Sequence, residues 1–302
     1  MDAADFLVCG ATGQQGGAVA RALRARGRSV RAFVRDPHGD KATALREAGI
    51  TLATGDLFDR ASIERAMHGV RGVFSVQTSS PSGLITDEQE AAQGIAVADS
   101  AVAAGVLHLV YSSGSAAGKG PTGMGHFDSK TRIETYVRAL PIATTITRPA
   151  SFMDMMMLPG MGLNAGEFTF FMQPDQPMQM IALHDLGRIN ADILCAPERH
   201  AGRTLELSSQ ALTGRDLERS FSQAAGRPIR YRRFPDTLLA DNAFLRTLTQ
   251  LVDRGVVAGV ADIPALEREF GAMLTLERWL AGPGRGLFEA ALNAPHARIA
   301  LR

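Results

Sequence analysis

A chain of 302 residues, 45% of them apolar, can bury a large core as one large or two modest domains. Its net charge of +1, from 32 basic and 31 acidic residues of interspersed sign, excludes the electrostatic footprint of a nucleic-acid binder. No apolar run reaches bilayer-spanning length, Met1-Asp-Ala-Ala-Asp carries no signal-peptide features, and the two cysteines and seven histidines lack metal-ligand spacing, so a reduced, cytoplasmic protein without metal or membrane contact is expected.

The first element is the apolar run Phe6-Leu-Val-Cys, which breaks into Gly10-Ala-Thr-Gly13-Gln-Gln-Gly16. An amphipathic segment and a second apolar run, Ser29-Val-Arg-Ala-Phe-Val-Arg35, follow. This order describes a strand, a phosphate-cradling turn, a helix and a second strand, with the pyrophosphate of a dinucleotide at the positive end of a helix starting near Gln14. The first glycine permits the turn, the second lets backbone approach the pyrophosphate, and the third lets helix pack on strand. Gly10, Thr12, Gly13, Gln14, Gln15 and Gly16 are therefore the candidate cofactor-binding residues. Arg35 at the tip of the second strand, with Arg31 earlier and Lys41 shortly after, favours the 2′-phosphate of NADP(H) over NAD(H). Asp36 is the competing feature, because a strand one residue longer would bring its carboxylate to a ribose.

Beyond this unit the spacing predicts a helix over 41–48, a strand over 50–54, a helix from Asp59 as N-cap to His68, and a strand over 70–76. A long helix over 87–104, a strand over 107–111, a loop over 115–125, a helix over 128–140 and a strand over 143–148 complete the first half. Regular alternation of strand and helix specifies an α/β, doubly wound parallel sheet. The pattern changes after Ser151, since residues 153–180 hold eight of the twelve methionines. A short hairpin is expected from 168–171 and 178–181, then a helix capped by Asp185 and running to Leu194, a strand over 204–207, a helix N-capped by Thr213, and mainly helix over 237–281. A dinucleotide-binding domain over 1–152, which also receives about 182–209, and a smaller α+β lobe over 153–181 and 210–302, at the carboxyl edge of the sheet, are the expected domains.

Taken together, Gly10-Ala-Thr-Gly13-Gln-Gln-Gly16, Val34-Arg35-Asp-Pro37, Gly55-Asp56-Leu, Gly69-Val-Arg-Gly72-Val-Phe74, His126-Phe-Asp-Ser-Lys130 and Thr147-Arg148-Pro-Ala-Ser-Phe152-Met resemble the NmrA-like branch of the atypical short-chain dehydrogenase/reductase superfamily. Asp185-Leu-Gly and Leu212-Thr213-Gly extend the resemblance over nearly the whole chain. It implies a Rossmann-type domain that binds NAD(P)(H). It also implies one of two functions: reduction of a small apolar substrate such as a quinone or azo compound, or sensing of the NADPH/NADP+ state with regulation of a protein partner. An oligomer is compatible with either. By position, Asp56 and Leu57 would flank the adenine, Gln77 and Thr78 the ribose, and Ser112 and Ser113 the nicotinamide, as ligand binding outside the carboxyl ends of the strands also requires.

Ordinary members of the superfamily carry Tyr-x-x-x-Lys. Here the three tyrosines, Tyr111, Tyr136 and Tyr231, are followed four residues later by Ser115, Leu140 and Pro235. His126 and Lys130 stand at the matching place, on one helix face if the helix begins early enough. They are the candidate catalytic pair: Lys130 to hold the nicotinamide ribose, and His126 either as a general acid near neutral pH or as a helix-entry residue. Phe152, Met153 and Met156 are candidate substrate-pocket residues, as adaptable apolar surface, with core packing the alternative. Arg148 could face cofactor or acceptor, or form a structural salt bridge.

Overall fold

The computed structural model describes residues 4–295; residues 1–3, where the expected absence of a signal peptide falls, and 296–302, the end of the expected smaller lobe, lie outside that range. In chain order the elements are β1 (Phe6–Val8), α1 (Gln14–Ala25), β2 (Val30–Val34), α2 (Asp40–Glu47), β3 (Thr51–Thr54), α3 (Arg60–Met67), β4 (Gly72–Ser75), α4 (Asp87–Ala103), β5 (His108–Ser112), α5 (Gly125–Arg138) and β6 (Ala143–Pro149). A short β7 (Ser151–Phe152) leads into a 3-10 segment (Met153–Met157), followed by β8 (Glu167–Phe170), β9 (Met178–Ile181), α6 (Leu183–Cys195), α7 (Pro197–His200), β10 (Thr204–Leu207) and β11 (Gln210–Leu212). The remainder is α8 (Gly214–Ala225), β12 (Arg230–Arg233), α9 (Asp236–Asp241), α10 (Ala243–Asp253), α11 (Ile263–Phe270), α12 (Leu276–Ala281) and α13 (Arg285–Asn293).

Two compact units result: one from residues up to 120, 125–148 and 186–205, the other from 121–124, 149–185 and 206 onward. The first unit carries a seven-stranded sheet of order β10-β6-β5-β4-β1-β2-β3, parallel throughout from β3 to β6. Its apolar strands are buried on both faces, which explains why Phe6–Val8 and Val30–Val34 read as continuous runs rather than alternating ones. Leu7, Val73, Leu109 and Tyr111 of the strands join Val97, Ala98 and Ile133 of α4 and α5 in one core. Strand β1 pairs with β2 on one side and β4 on the other. Successive crossovers therefore run in opposite directions from β1, and the reversal opens a crevice at the carboxyl ends of β1 and β4. This is a Rossmann-type α/β sheet.

The second unit holds a three-stranded sheet, β11-β9-β7, and a separate parallel pair, β12-β8. The hairpin expected from 168–171 and 178–181 does not form, because β8 pairs in parallel with β12 and β9 pairs with β11 and β7. The Phe168, Phe170, Phe171, Phe221, Phe234 and Phe288 rings pack with centroids 4.6–5.6 Å apart in successive pairs and supply its aromatic core.

Two of the three expected helix caps form. Asp59 accepts a hydrogen bond from the Ala61 N–H, and Thr213 forms a reciprocal capping box with Asp216, as their cap positions require. Asp185 does not cap α6 but lies inside its first turn, 1% exposed, where it accepts hydrogen bonds from Ser209 Oγ at 2.7 Å and Leu274 N at 2.8 Å. Its carboxylate ties together loops of the second unit, a role that only the tertiary fold assigns. Helix α13 lies beyond the helical stretch expected to end at 281.

Candidate functional site

The site begins where β1 runs out. Gly10 has φ of +63°, in the left-handed region that favours glycine, and a Cβ there would stand 2.8 Å from Val76 Cγ1. Gly13 N donates to Gly10 O at 2.9 Å and closes the turn. A Cβ on Gly16 would lie 2.4 Å from Gly10 O and 2.6 Å from Cys9 O, so only glycine lets α1 approach the turn this closely. Helix α1 then starts at Gln14 with no side-chain cap at Gly13 and no acidic residue in its first turn. Its first N–H groups, those of Gln14, Gln15 and Gly16, precede the first intrahelical donor, Gly17, and such a helix end suits an anion.

At the tip of β2, Arg35 is exposed. Asp36 is engaged locally: its Oδ1 accepts from the His38 N–H at 2.8 Å, so the carboxylate closes its own turn. Lys41 is exposed on α2. Arg31 does not support the cofactor reading. It is 3% exposed and donates to the carbonyls of Ala66 at 2.6 Å and His68 at 3.1 Å, at the carboxyl end of α3, where a guanidinium satisfies orphan carbonyls.

After β3, Asp56 Oδ1 accepts from Phe58 N at 2.9 Å, and Leu57 packs, half-buried, against the core. After β4, Gln77 and Thr78 are half-exposed, and Gln77 Nε2 donates to Ser75 Oγ at 2.9 Å. At the end of β5, Ser112 and Ser113 are 1% and 2% exposed. Ser112 Oγ donates to Gln15 Oε1 at 2.7 Å, a bond across 97 residues of sequence that joins the glycine turn to the end of β5. The first unit thus brings the candidate cofactor residues to the carboxyl ends of β1 to β5.

Helix α5 begins at Gly125, three residues before the expected start, and this places His126, Lys130 and Glu134 on one face at i, i+4 and i+8. Burial, reinforced by Lys130, pushes the His126 imidazole down to about 4, so it is neutral at pH 7 and holds no transferable imidazolium proton. Lys130 forms an ion pair with Glu90 of α4, and its aliphatic stem lies beside Gly114, where a Cβ would stand 3.5 Å from Lys130 Cδ. Glu134 receives a bidentate pair from Arg148, Nε at 2.8 Å and Nη2 at 2.6 Å. Burial would raise the Glu134 carboxyl, but Arg148, together with Ser113 and Arg138, outweighs it and holds the group below the usual range. Arg148 therefore serves this internal salt bridge.

Neither Glu90 nor Glu134 was expected from the sequence, since a carboxylate at a helix position reads as a solvated face until its burial is known. In the second unit, Phe152 is half-buried, while Met153 and Met156 are fully buried and pack as core. Between them sits Asp154, whose Oδ2 is buried without a hydrogen-bond partner and whose carboxyl is raised by burial. Burial pushes the Cys9 thiol up to about 12 and makes it inert. Among the described residues no group of three or more His, Cys, Asp or Glu could hold a metal ion, and no helix is long and apolar enough to cross a membrane.

Comparison with known proteins adds three relatives. The chain is 30% identical over 228 residues to an NAD(P)H azoreductase of Xenophilus azovorans, covering 75% of this chain and 76% of that one. Its fold is shared with the triphenylmethane reductase of Citrobacter sp. in complex with NADP(H), at a TM-score of 0.76, 21% identity, 92% of this chain and 99% of that one. It is shared also with NmrA, a negative transcriptional regulator in complex with NAD, at a TM-score of 0.74, 22% identity, 97% of this chain and 96% of that one. The family model described as NmrA-like matches residues 3–269, nearly the full sequence traversed by β1 to α11, and the chain belongs to the NmrA-like family.

Proposed function

We propose that this protein is an NADPH-dependent reductase of small, flat, apolar acceptors of the quinone, azo or carbonyl type. The observation that carries the reading is the uncapped end of α1, opened by Gly10, Gly13 and Gly16 and free of acidic side chains in its first turn. Such an end receives a pyrophosphate, and the exposed Arg35 guanidinium supplies a bidentate partner for a 2′-phosphate while Asp36 is occupied by its own turn. Bound there, the nicotinamide supplies the hydride, and the protein's part is placement.

In this reading Lys130, beside Gly114, holds the nicotinamide ribose, and Asp56, Leu57, Gln77, Thr78, Ser112 and Ser113 line the rest of the cofactor. Cofactor binding belongs to the first unit, and contacts with a substrate or partner to the second. With no Tyr-x-x-x-Lys pair and a neutral His126, the proton that completes reduction comes from water. Quinones and azo compounds suit this arrangement because their reduced heteroatoms take up a proton from solvent unaided. The azoreductase at 30% identity supports the same substrate class.

A second reading follows from the same absence of a protein acid: a non-catalytic protein that senses the NADPH/NADP+ ratio and regulates a protein partner. NmrA, whose fold this chain shares, is a transcriptional regulator. Steady-state oxidation of NADPH across a panel of quinones, azo dyes and carbonyls separates the two. Turnover of at least one acceptor is the expected result; tight NADPH binding with no turnover of any would move the conclusion to the sensor.

A further inference from the structure

Glu90 is the most deeply buried carboxylate associated with the site, at 1% exposure, and its ion-pair partner Lys130 is 13% exposed through its side chain. Around them α4 and α5 meet through small apolar groups. A Cβ on Gly94, one turn after Glu90, would be 2.6 Å from Ile133 Cδ1, one turn after Lys130, and the rest of the buried face of α4 is uncharged: Ala91, Gln93, Val97, Ala98, Ser100 and Ala101. An interface of this kind needs no charge. A buried ion pair costs desolvation that its attraction only partly returns, and apolar residues of equal volume generally serve stability as well or better. The pair is therefore poorly explained as a fold-stabilising device.

Its asymmetry indicates another role. The carboxylate is sealed inside, whereas the Lys130 side chain keeps 13% of its surface exposed and runs with its Cδ beside Gly114, immediately after Ser112 and Ser113 at the carboxyl end of β5. An ammonium on a four-carbon stem has many rotamers to lose, and one charge-assisted bond to a fixed acceptor removes much of that freedom while leaving two N–H donors. We propose that Glu90 is a positioning residue that holds the Lys130 ammonium at the carboxyl end of β5, so that its remaining donors meet the ribose of a bound nicotinamide cofactor. The inference rests on the cofactor reading above for the identity of the ligand, and on the Glu90–Lys130 pair alone for the positioning.

The chain has only three lysines, at 41, 119 and 130, so acylation by an N-hydroxysuccinimide ester followed by peptide mass spectrometry reports Lys130 against two internal references. Glu90→Gln should speed labelling of Lys130 by about tenfold, the equivalent of one lost charge-assisted hydrogen bond, with Lys41 and Lys119 unchanged. NADPH affinity, followed by cofactor fluorescence, should weaken by a similar factor in Glu90→Gln, less in Glu90→Asp, and should not weaken further when Glu90→Gln is added to Lys130→Met. Unchanged Lys130 labelling in folded Glu90→Gln would overturn the proposal. So would an equal loss of NADPH affinity from Glu90→Gln with and without Lys130, which would mean that the carboxylate acts on the fold. Failure of the unaltered protein to bind NADPH would sink the cofactor reading instead, and the labelling result would still decide for or against Glu90.

Discussion

Arg35 and Asp36 are adjacent, both exposed, and chemically opposed in what they would select. The Asx turn that Asp36 makes with His38 favours Arg35 in the proposed reading, because it engages one oxygen of the acidic side chain locally and leaves the guanidinium exposed. Arg35→Ala should therefore weaken NADPH by about 10- to 100-fold, the range of a charge-assisted contact, and NADH by little. Titration of both cofactors checks this, and equal losses would remove Arg35 from the 2′-phosphate. His126 was readable in sequence as a residue at the place of the missing tyrosine, but its charge state was not, since burial and the Lys130 neighbour lower it.

His108 makes a related point about acid sensitivity. Thr145 Oγ1 gives its one proton to His200 O at 2.7 Å, so it must accept from His108 Nε2–H at 2.8 Å, which leaves Nδ1 bare and buried. Burial and the neighbouring His200, against a smaller opposing effect of Glu198, lower this histidine from 6.5 to about 4. The unfolded chain then binds more protons than the folded one between these values, so the contribution to stability is complete above pH 6.5 and lost as pH falls toward 4. It amounts to at most roughly 3 kcal/mol. Denaturant unfolding at pH 7 and pH 4.5 should show a smaller acid loss for His108→Gln than for the unaltered protein.

Among the elements, the turn from β1 into α1 was the most legible, because each glycine answers a local steric demand. Gly16→Ala tests it: the clashing atoms at 2.4–2.6 Å are main-chain carbonyl atoms of Gly10 and Cys9, which have no rotamer by which to retreat. Loss of measurable NADPH binding and a melting temperature lower by several degrees are expected, on the order of 1–3 kcal/mol for overpacking. A stable variant with normal cofactor affinity would show that α1 does not need this close approach. The failed hairpin shows the opposite situation. Strands form at β8 and β9, where the hairpin was expected, yet β8 found its partner about 60 residues later in β12, and nothing in the local pattern names a partner. The start of α5 was similarly misplaced by three residues, and that turn is what aligns His126 with Lys130 and Glu134.

For the whole molecule, cofactor binding should appear as stability. A ligand that binds only the folded state at a hundred times its dissociation constant adds about 2.7 kcal/mol, a rise of several degrees in melting temperature for a chain of this size. Thermal shift with NADPH, NADP+, NADH and NAD+ should rank the two phosphorylated forms first, and no shift with any of them would contradict the dinucleotide reading. Sequence alone determined what depends on neighbours along the chain: the alternating α/β architecture, the glycine turn, the caps at Asp59 and Thr213, and the family. Tertiary structure alone decided what depends on groups far apart in sequence. It withdrew Arg31 to the end of α3, gave Arg148 to Glu134, buried Met153 and Met156, and set Glu90 against Lys130. The division has one physical reason: propensity and steric demand act within a few residues, whereas burial, charge pairing and strand partnership exist only once the chain has closed on itself.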